Sequence, residues 1–582
     1  MVDVAGRVEG AGPVAGSGNH DGSKISARAL SPSTVHAIVL MIAGAIGLAF
    51  WRYEGVYQNV IFTAATTLTL GALIVAATRR LLLAAIAVGA LVALVNFVAS
   101  GKRETLGMVL HAYDIVFYLG SWSTVSFLWE SARSYVIGFA VLMAVASVVG
   151  ILAWRLDGTR LRRAPALKVA LLAAVVAGVF GTLKPERRHT QFYWDALYVS
   201  SFYSSWAETV ETLFRGQLIE AAEAASGPPF TLDQSCAPTA RAPHIILIHQ
   251  ESIVQPSLFN RLDYDRKLDP FFQSSDGRTH KLRVETYGGA SWLTEFSILT
   301  GLSTHAFGGM RPFVQSLLAG KVRETLPETL QNCGYRNVLF YPMLRNFVSN
   351  GRFYEAIGLR EIFDLKAQGA TTVSERDRFY YRNALDEMER HIGASSKPLF
   401  TYIQTMAAHW PYDYKWAPDM DVPGGGPGTD PEMHEYLRRV AIAKIDYDWL
   451  KSEIKRRFPN EPVLIVHYGD HHPMATRKLL GFSESTEAED VVMDENSIGY
   501  ITYFVVEAFN HEPPPLPSAE AIDVPYLGAL ILKQAGLPLS APNRERLRLL
   551  DRCGGRYNSC SHRAEILGFH RRLIDSRLID ER

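Results

Sequence analysis

Three separated segments of this chain end in residues able to hold a metal ion or attack phosphorus. Val463 to Pro473 (VLIVHYGDHHP) is an apolar, β-branched run that stops at Asp470, His471 and His472. Such a run reads as a buried strand delivering ligands to its carboxyl end, the edge where open α/β sheets place their sites. His244 to Gln250 (HIILIHQ) is a second such run and ends at Glu251, while Val284 to Glu295 offers the hydroxyls of Ser291 and Thr294. Two carboxylates, a histidine and a hydroxyl at separate strand ends are the parts of a metal-activated phosphoryl-transfer site.

Gly288 and Gly289 permit a sharp turn, and apolar periodicity from Trp292 onward starts a helix, so Ser291 falls beside a helix N-terminus. Unpaired amides and the positive dipole end there favour a phosphate and an alkoxide. The same place suits a serine that only caps the helix, and Thr294, one turn deeper, is the rival nucleophile. A carboxylate at Glu251 is costly to bury without a cation or an Arg partner. Asp470 and His471 supply one oxygen and one nitrogen, a set that suits Mn²⁺ or Zn²⁺ better than Mg²⁺ or Ca²⁺. A divalent ion held by Glu251, Asp470, His471 and the Ser291 oxygen would acidify the hydroxyl and neutralise the phosphate. His409, in TMAAHWPYDY, is either a donor to a phosphate oxygen or leaving alcohol, or a surface histidine of a Trp-Pro turn. His249 projects to the same strand face as Glu251, as a substrate contact or as a buried structural histidine.

The elements that must position these groups follow from the alternation of short apolar runs with helical patterns between about 243 and 537. Strands are expected at His244 to Gln250, Lys281 to Thr286, Asn337 to Tyr341, Leu399 to Thr405, Pro462 to Tyr468 and Gly499 to Val506. Helices are expected at Trp292 to Thr300, Glu324 to Asn332, Asn350 to Ile357, Tyr380 to Arg390, Glu435 to Phe458 and Pro525 to Ala535. That order means an α/β fold with a mostly parallel sheet.

The first third is different in kind. The mean hydropathy of +0.02 averages it with an ordinary soluble remainder. Residues 1–33 are Gly-, Ala- and Ser-rich and read as a disordered cytoplasmic leader. Five apolar runs follow, near Val35 to Trp51, Val60 to Thr78, Leu81 to Ser100, Tyr135 to Trp154 and Ala166 to Leu183. Each is long enough, or nearly so, to cross a hydrocarbon core of roughly 30 Å. Ten Lys and Arg flank one side of these spans and seven the other, which puts the N-terminus in the cytoplasm and all after Leu183 outside. Glu104 to Trp122 reads as interfacial or re-entrant, and Phe192 to Ala225 as a juxtamembrane connector or an ordinary linker helix. The resulting domains are 1–33, a transmembrane domain at 34–184, a connector at 185–242 and a catalytic domain at 243–582. Equal numbers of basic and acidic residues, 59 each, argue against a nucleic-acid partner. Four cysteines beyond the last span suggest disulfides on an oxidising face, Cys553 with Cys560 across a Gly-rich turn and Cys236 with Cys333.

The segments HQES at 249 to 252, GGASWLTEF at 288 to 296, RNFVSNGRFYEAIGL at 345 to 359, AAHWP at 407 to 411 and YGDHHP at 468 to 473 now form a recognisable set. Together they resemble the lipoteichoic acid synthase and phosphoglycerol transferase branch of the alkaline phosphatase/sulfatase superfamily, over about residues 35 to 510. The resemblance implies five transmembrane helices followed by an extracytoplasmic sulfatase-like α/β domain. It implies that a phosphoglycerol or phosphoethanolamine group moves from a membrane phospholipid to the nucleophile and then to an acceptor alcohol. Glu251, Asp470 and His471 would hold a manganese-type ion with the nucleophile, and His409 and His249 would face the substrate. The family's Trp and Arg before the helix ending at Gly358 are replaced by Val348 and Asn350, so Arg345 or Arg352 is expected to clamp the phosphate. The branch usually carries Thr where Ser291 stands, and serine fills that role in alkaline phosphatases. Sulfate-ester hydrolysis would need a Cys or Ser followed by Pro and Arg, and ASWLTE has neither. The implied setting is a bacterial cytoplasmic (inner) membrane, with the bilayer as partner and a periplasmic glucan, lipopolysaccharide or other glycan as acceptor. A metal-dependent phosphodiesterase releasing the head group to water is the alternative, since its covalent half-reaction is identical.

Overall fold

The computed structural model describes residues 29–106, 108–117, 122–183, 198–215, 218–224, 227–231, 236, 241–345, 347, 350–483, 493–494 and 496–581. The expected leader up to residue 28, and 184–197 of the connector, lie outside the described residues.

The amino-terminal part comprises α1 (Pro32–Tyr53), α2 (Tyr57–Thr78), α3 (Leu81–Leu106), the short α4 (Ala112–Phe117) and α5 (Trp122–Ser131), α6 (Arg133–Leu156), α7 (Arg163–Thr182) and α8 (Tyr198–Arg215). Among the described residues, five helices (α1, α2, α3, α6 and α7) are long and apolar enough to cross a membrane. Their outer faces leave Leu40, Leu48, Val141, Ile151, Leu171 and Leu172 exposed, a surface that only lipid covers cheaply. Polar contacts tie the helix ends together. At one end the Asp157 carboxylate accepts from Leu82 N at 2.8 Å, and Arg80 donates to the Asp157 carbonyl at 3.0 Å. At the other, the buried Glu54 carboxylate accepts from Val199 N and Ser200 N at 2.8 and 3.0 Å, capping α8. Tyr198, Val199 and Phe202 of α8 then pack with Phe50, Val92 and Val95 of the spanning helices. Among the described residues of 104–122 no helix is long enough to be a sixth span; Met108 and Tyr113 bury into the core of the soluble part, and Tyr113 meets the Phe313 ring edge-on at 5.1 Å.

The soluble part is built on β1 (His244–Gln250), β2 (His280–Arg283), β3 (Arg336–Phe340), β4 (Glu361–Phe363), β5 (Leu399–Gln404), β6 (Val463–Gly469), β7 (Ile501–Phe509) and β8 (Ala521–Asp523). They form one eight-stranded sheet in the order β4-β3-β5-β1-β6-β7-β2-β8, in which β7 alone runs antiparallel to its neighbours. Helices α9 (Ser291–Thr300), α10 (Val314–Leu318), α11 (Leu326–Asn332), α12 (Asn350–Ala356), α13 (Asp377–Ala394), α14 (Pro431–Arg457), α15 (Leu527–Gln534), α16 (Ala541–Arg552) and α17 (Arg563–Asp575) complete it. Every residue of β1 and β6 is buried, as central parallel strands covered on both faces must be. Alternation divides them: Ile245 and Leu247 enter one core, Ile246 and Ile248 the other. Disulfides join Cys236 to Cys333 and Cys553 to Cys560.

Candidate active site

The register of two neighbouring strands builds the centre of the site. β1 and β6 are parallel with Gln250 opposite Gly469, so the next residues, Glu251 and Asp470, leave the sheet side by side at its carboxyl edge. Gly469 has no substitute there, because a Cβ would meet the Ile253 carbonyl oxygen at 1.9 Å. The turn after β2 brings in the third component. Gly288 (φ +72°) and Ala290 (φ +63°) are left-handed, and Gly288 N bonds the His472 carbonyl at 2.9 Å, tying this turn to the Asp-His-His loop. Helix α9 therefore starts at Ser291 against the ends of β1 and β6.

Ala290 occupies the N-cap position and no side chain caps α9. The Ser291 hydroxyl instead donates to Glu251 Oε2 at 3.0 Å and lies 3.3 Å from His471 Nε2. Thr294 is buried, and its hydroxyl is engaged by the Asp470 carbonyl at 2.8 Å. Glu251 meets no Arg in this cluster; its Oε1 accepts from Ser252 Oγ at 2.8 Å and lies 3.5 Å from His471 Nε2. Asp470 Oδ1 accepts from Ser252 N and His471 N at 2.7 and 2.8 Å.

The donor set fits a divalent cation. Asp470 Oδ2 is buried with no hydrogen-bond partner, yet His249 Nε2 and His471 Nε2 lie 3.1 and 3.2 Å from it. Nitrogen and carboxylate lone pairs crowded together in a dry site are stabilised by a shared positive charge. Outer partners set both imidazoles: His471 Nδ1 donates to the His472 carbonyl at 2.9 Å, and His249 Nδ1 contacts Tyr468 Oη at 3.0 Å. Each thus aims Nε2 inward. His249, Glu251 and Asp470 each place one ligand atom within 4.8 Å of the others. Burial alone would raise the Glu251 carboxyl, but the adjacent His249, His471 and His409 imidazoles outweigh it and hold its pKa well below the usual carboxylate range.

Of the other sequence-predicted residues, His409 is exposed just beyond β5, with Nδ1 donating to the Trp410 carbonyl at 2.5 Å. Of the two arginines expected at the phosphate, Arg345 is ion-paired with Glu355 and bonds the Asp364 carboxylate through its amide, and Arg352 is exposed on α12. Sequence reasoning missed Tyr468 and Glu295. Tyr468 is the register partner of His249, and its position in the strand preceding Asp470 was the available signal. Glu295 lies one turn past Ser291, takes a hydrogen bond from Tyr354, and is pushed up by burial.

Residues 243–520 match the family model described as Sulfatase. The match covers most of this α/β unit, which is thus a sulfatase-like domain following five helices long and apolar enough to cross a membrane. An uncharacterized protein of Haemophilus influenzae is 23% identical over 310 residues, 51% of each chain, so the match spans about half the length of that curated relative. Among solved structures, lipooligosaccharide phosphoethanolamine transferase A of Neisseria meningitidis aligns over 88% of this chain and 97% of its own, at 12% identity and a TM-score of 0.47. A Streptococcus pyogenes phosphoglycerol transferase in complex with sn-glycerol-1-phosphate aligns over 61% and 99%, at 15% identity and 0.45. The Listeria monocytogenes lipoteichoic acid synthase aligns over 52% and 76%, at 18% and 0.39.

Proposed function

We propose that this chain is a membrane-anchored phospho-group transferase of the lipoteichoic acid synthase and phosphoglycerol transferase branch. It takes phosphoglycerol or phosphoethanolamine from a membrane phospholipid and passes it to an extracytoplasmic glycan or lipid acceptor. The observation that carries this reading is the Ser291 hydroxyl held 3.0 Å from Glu251 and 3.3 Å from His471 at the start of α9. The proposed organisation is a transmembrane domain at 34–184, a connector at 185–242 and a catalytic domain at 243–582, facing the periplasm from the cytoplasmic membrane of a two-membrane bacterium.

Glu251, Asp470, His471 and Ser291 would hold one divalent ion, Mn²⁺ or Zn²⁺, with His249 beside it. Such an ion supplies positive charge for the phosphate and for the serine oxygen. In the first half-reaction Ser291 Oγ bonds phosphorus as its proton leaves along the hydrogen bond to Glu251 Oε2. The P–O bond to diacylglycerol breaks, and the departing oxygen takes a proton from His409 Nε2. In the second, His409 Nε2 removes the proton of the acceptor hydroxyl, whose oxygen bonds phosphorus while the P–O bond to Ser291 Oγ breaks and Ser291 Oγ takes back the proton held on Glu251 Oε2. The N-terminus of α9 faces the phosphate throughout.

Diacylglycerol release from labelled phospholipid, measured with and without a glucan or lipopolysaccharide acceptor, tests the reading. Release that depends on acceptor, with label recovered on the glycan, supports transfer. Equal release without acceptor makes the protein a phosphodiesterase, and no release in either arm removes the enzymatic reading.

A further inference from the structure

Aromatic rings in the soluble part are almost all covered. Among the described residues of 243–581, the exposed Trp, Tyr and Phe side chains are Trp410 and Tyr414, at 60% and 49% exposure. Both follow His409 on one loop, directly beyond the carboxyl end of β5, the strand beside β1 and Glu251. A lone exposed ring is unremarkable, but two on one short loop beside a reaction centre mark a contact surface.

The loop is held rigid from beneath. Arg439 of α14, one of the largest fully buried side chains, donates from Nη1 to the His409 carbonyl at 2.6 Å and from Nη2 to the Pro411 carbonyl at 2.7 Å. Its Nε bonds Glu435 at 3.0 Å, and its guanidinium lies 5.1, 5.0 and 5.9 Å from the Tyr412, Tyr414 and Trp416 ring centroids. Tyr412 and Trp416 are buried, and Tyr412 Oη donates to the Ala408 carbonyl at 2.7 Å. Inward rings and arginine thus fix the backbone, while the outward rings are presented at little further entropic cost to a ligand. The loop's charge selects the ligand. Exposed Asp413, Asp419 and Asp421 stand against the single exposed Lys415, so an anionic phospholipid surface is repelled. A neutral polyol with apolar C–H faces is not.

We propose that Trp410 and Tyr414 form the acceptor subsite, stacking on a pyranose ring of a neutral glycan so that one of its hydroxyls reaches His409. This rests on the transferase reading, and it narrows the acceptor from a glycan or lipid to a carbohydrate.

Titration calorimetry of the full chain in detergent micelles, with maltohexaose and cellohexaose as probes, tests it. At least one hexasaccharide binds saturably, and Trp410→Ala and Tyr414→Ala each weaken it by about tenfold or more. Trp410→Phe keeps most of the affinity, and Ile445→Ala, exposed on α14 away from the loop, binds as the wild type does. Failure of both sugars to bind, or binding that Trp410→Ala leaves untouched, overturns the proposal. So does shielding of Trp410 emission from an aqueous quencher in phosphatidylglycerol nanodiscs, which would assign the rings to the bilayer. The readout requires no turnover. A chain that binds sugar yet never releases diacylglycerol refutes the proposed function alone, and a chain that transfers but ignores these rings refutes the subsite alone.

Discussion

Arg439→Lys keeps the positive charge beneath the His409 loop and removes the fork that organises it. The three nearest acceptors of Arg439 are the Glu435 carboxylate and the His409 and Pro411 carbonyls, at 3.0, 2.6 and 2.7 Å, with the Tyr414 carbonyl farther off at 3.5 Å. A single ammonium on a shorter reach serves one of them. Glu435 retains Arg438 Nη1 at 2.7 Å, so no carboxylate is left unpaired, but two carbonyls lose a charged donor. With about 1.5 kcal/mol for each charge-assisted bond lost at these part-buried carbonyls, the loss is roughly 3 kcal/mol. At about 2.1 cal/mol/K of unfolding entropy per residue, a domain of this size loses roughly 4 °C of Tm. Thermal unfolding in micelles reads the first effect. The second is kinetic: a slack loop misplaces His409 and the exposed rings, so KM for the acceptor rises more than the rate of diacylglycerol release falls. A Tm within about 1 °C of wild type together with an unchanged acceptor KM would refute the anchoring role.

Three further outcomes follow from other parts of the molecule. Burial, reinforced by the Asp446 charge, pushes the Asp377 carboxyl up to about 8. Its contribution to stability is full below the unfolded value near pH 4 and is lost as pH rises through about 8. Asp377→Asn is therefore expected to gain on the wild type, by a few kcal/mol at most, between about pH 5 and 8, and a Tm difference constant with pH would contradict this. The Cys236–Cys333 bond closes 97 residues and Cys553–Cys560 only 7. Chain entropy assigns them about 4.7 and 2.4 kcal/mol, so Cys333→Ser should lower Tm more than Cys560→Ser does. Chelation should abolish diacylglycerol release and also lower Tm, with Mn²⁺ or Zn²⁺ restoring both; an ion present at 100 times its Kd adds about 2.7 kcal/mol.

Much of the scaffold was legible because its strands are buried on both faces. β1 reads directly from HIILIHQ, and β3, β5, β6 and β7 lie within a few residues of their expected bounds. β4 and β8 were not, since three residues carry no usable periodicity, and they pair only because longer neighbours present an edge. α16 and α17 were passed over because their charged, amphipathic sequences bury one face only after the fold forms. The spanning helices were read by length, whereas the docking of α8 against them depends on Glu54, whose partner is distant in sequence. In the site, strand ends revealed Glu251, Asp470 and His471. The inward aim of His249 came from register with Tyr468, which a single sequence does not show. Arg345 and Arg352 were inferred from alignment to a motif, and the Arg345–Glu355 pair is a contact that no motif encodes.

The central claim is that the Ser291 oxygen carries the phospho-group between donor and acceptor. Incubating the full chain with head-group-labelled phospholipid, quenching in acid and mapping the label by mass spectrometry tests it directly. The account predicts a phosphoglycerol or phosphoethanolamine adduct on the peptide containing Ser291, absent from Ser291→Ala and from chelated protein. An adduct on Thr294 or elsewhere, or undiminished transfer by Ser291→Ala, would contradict it.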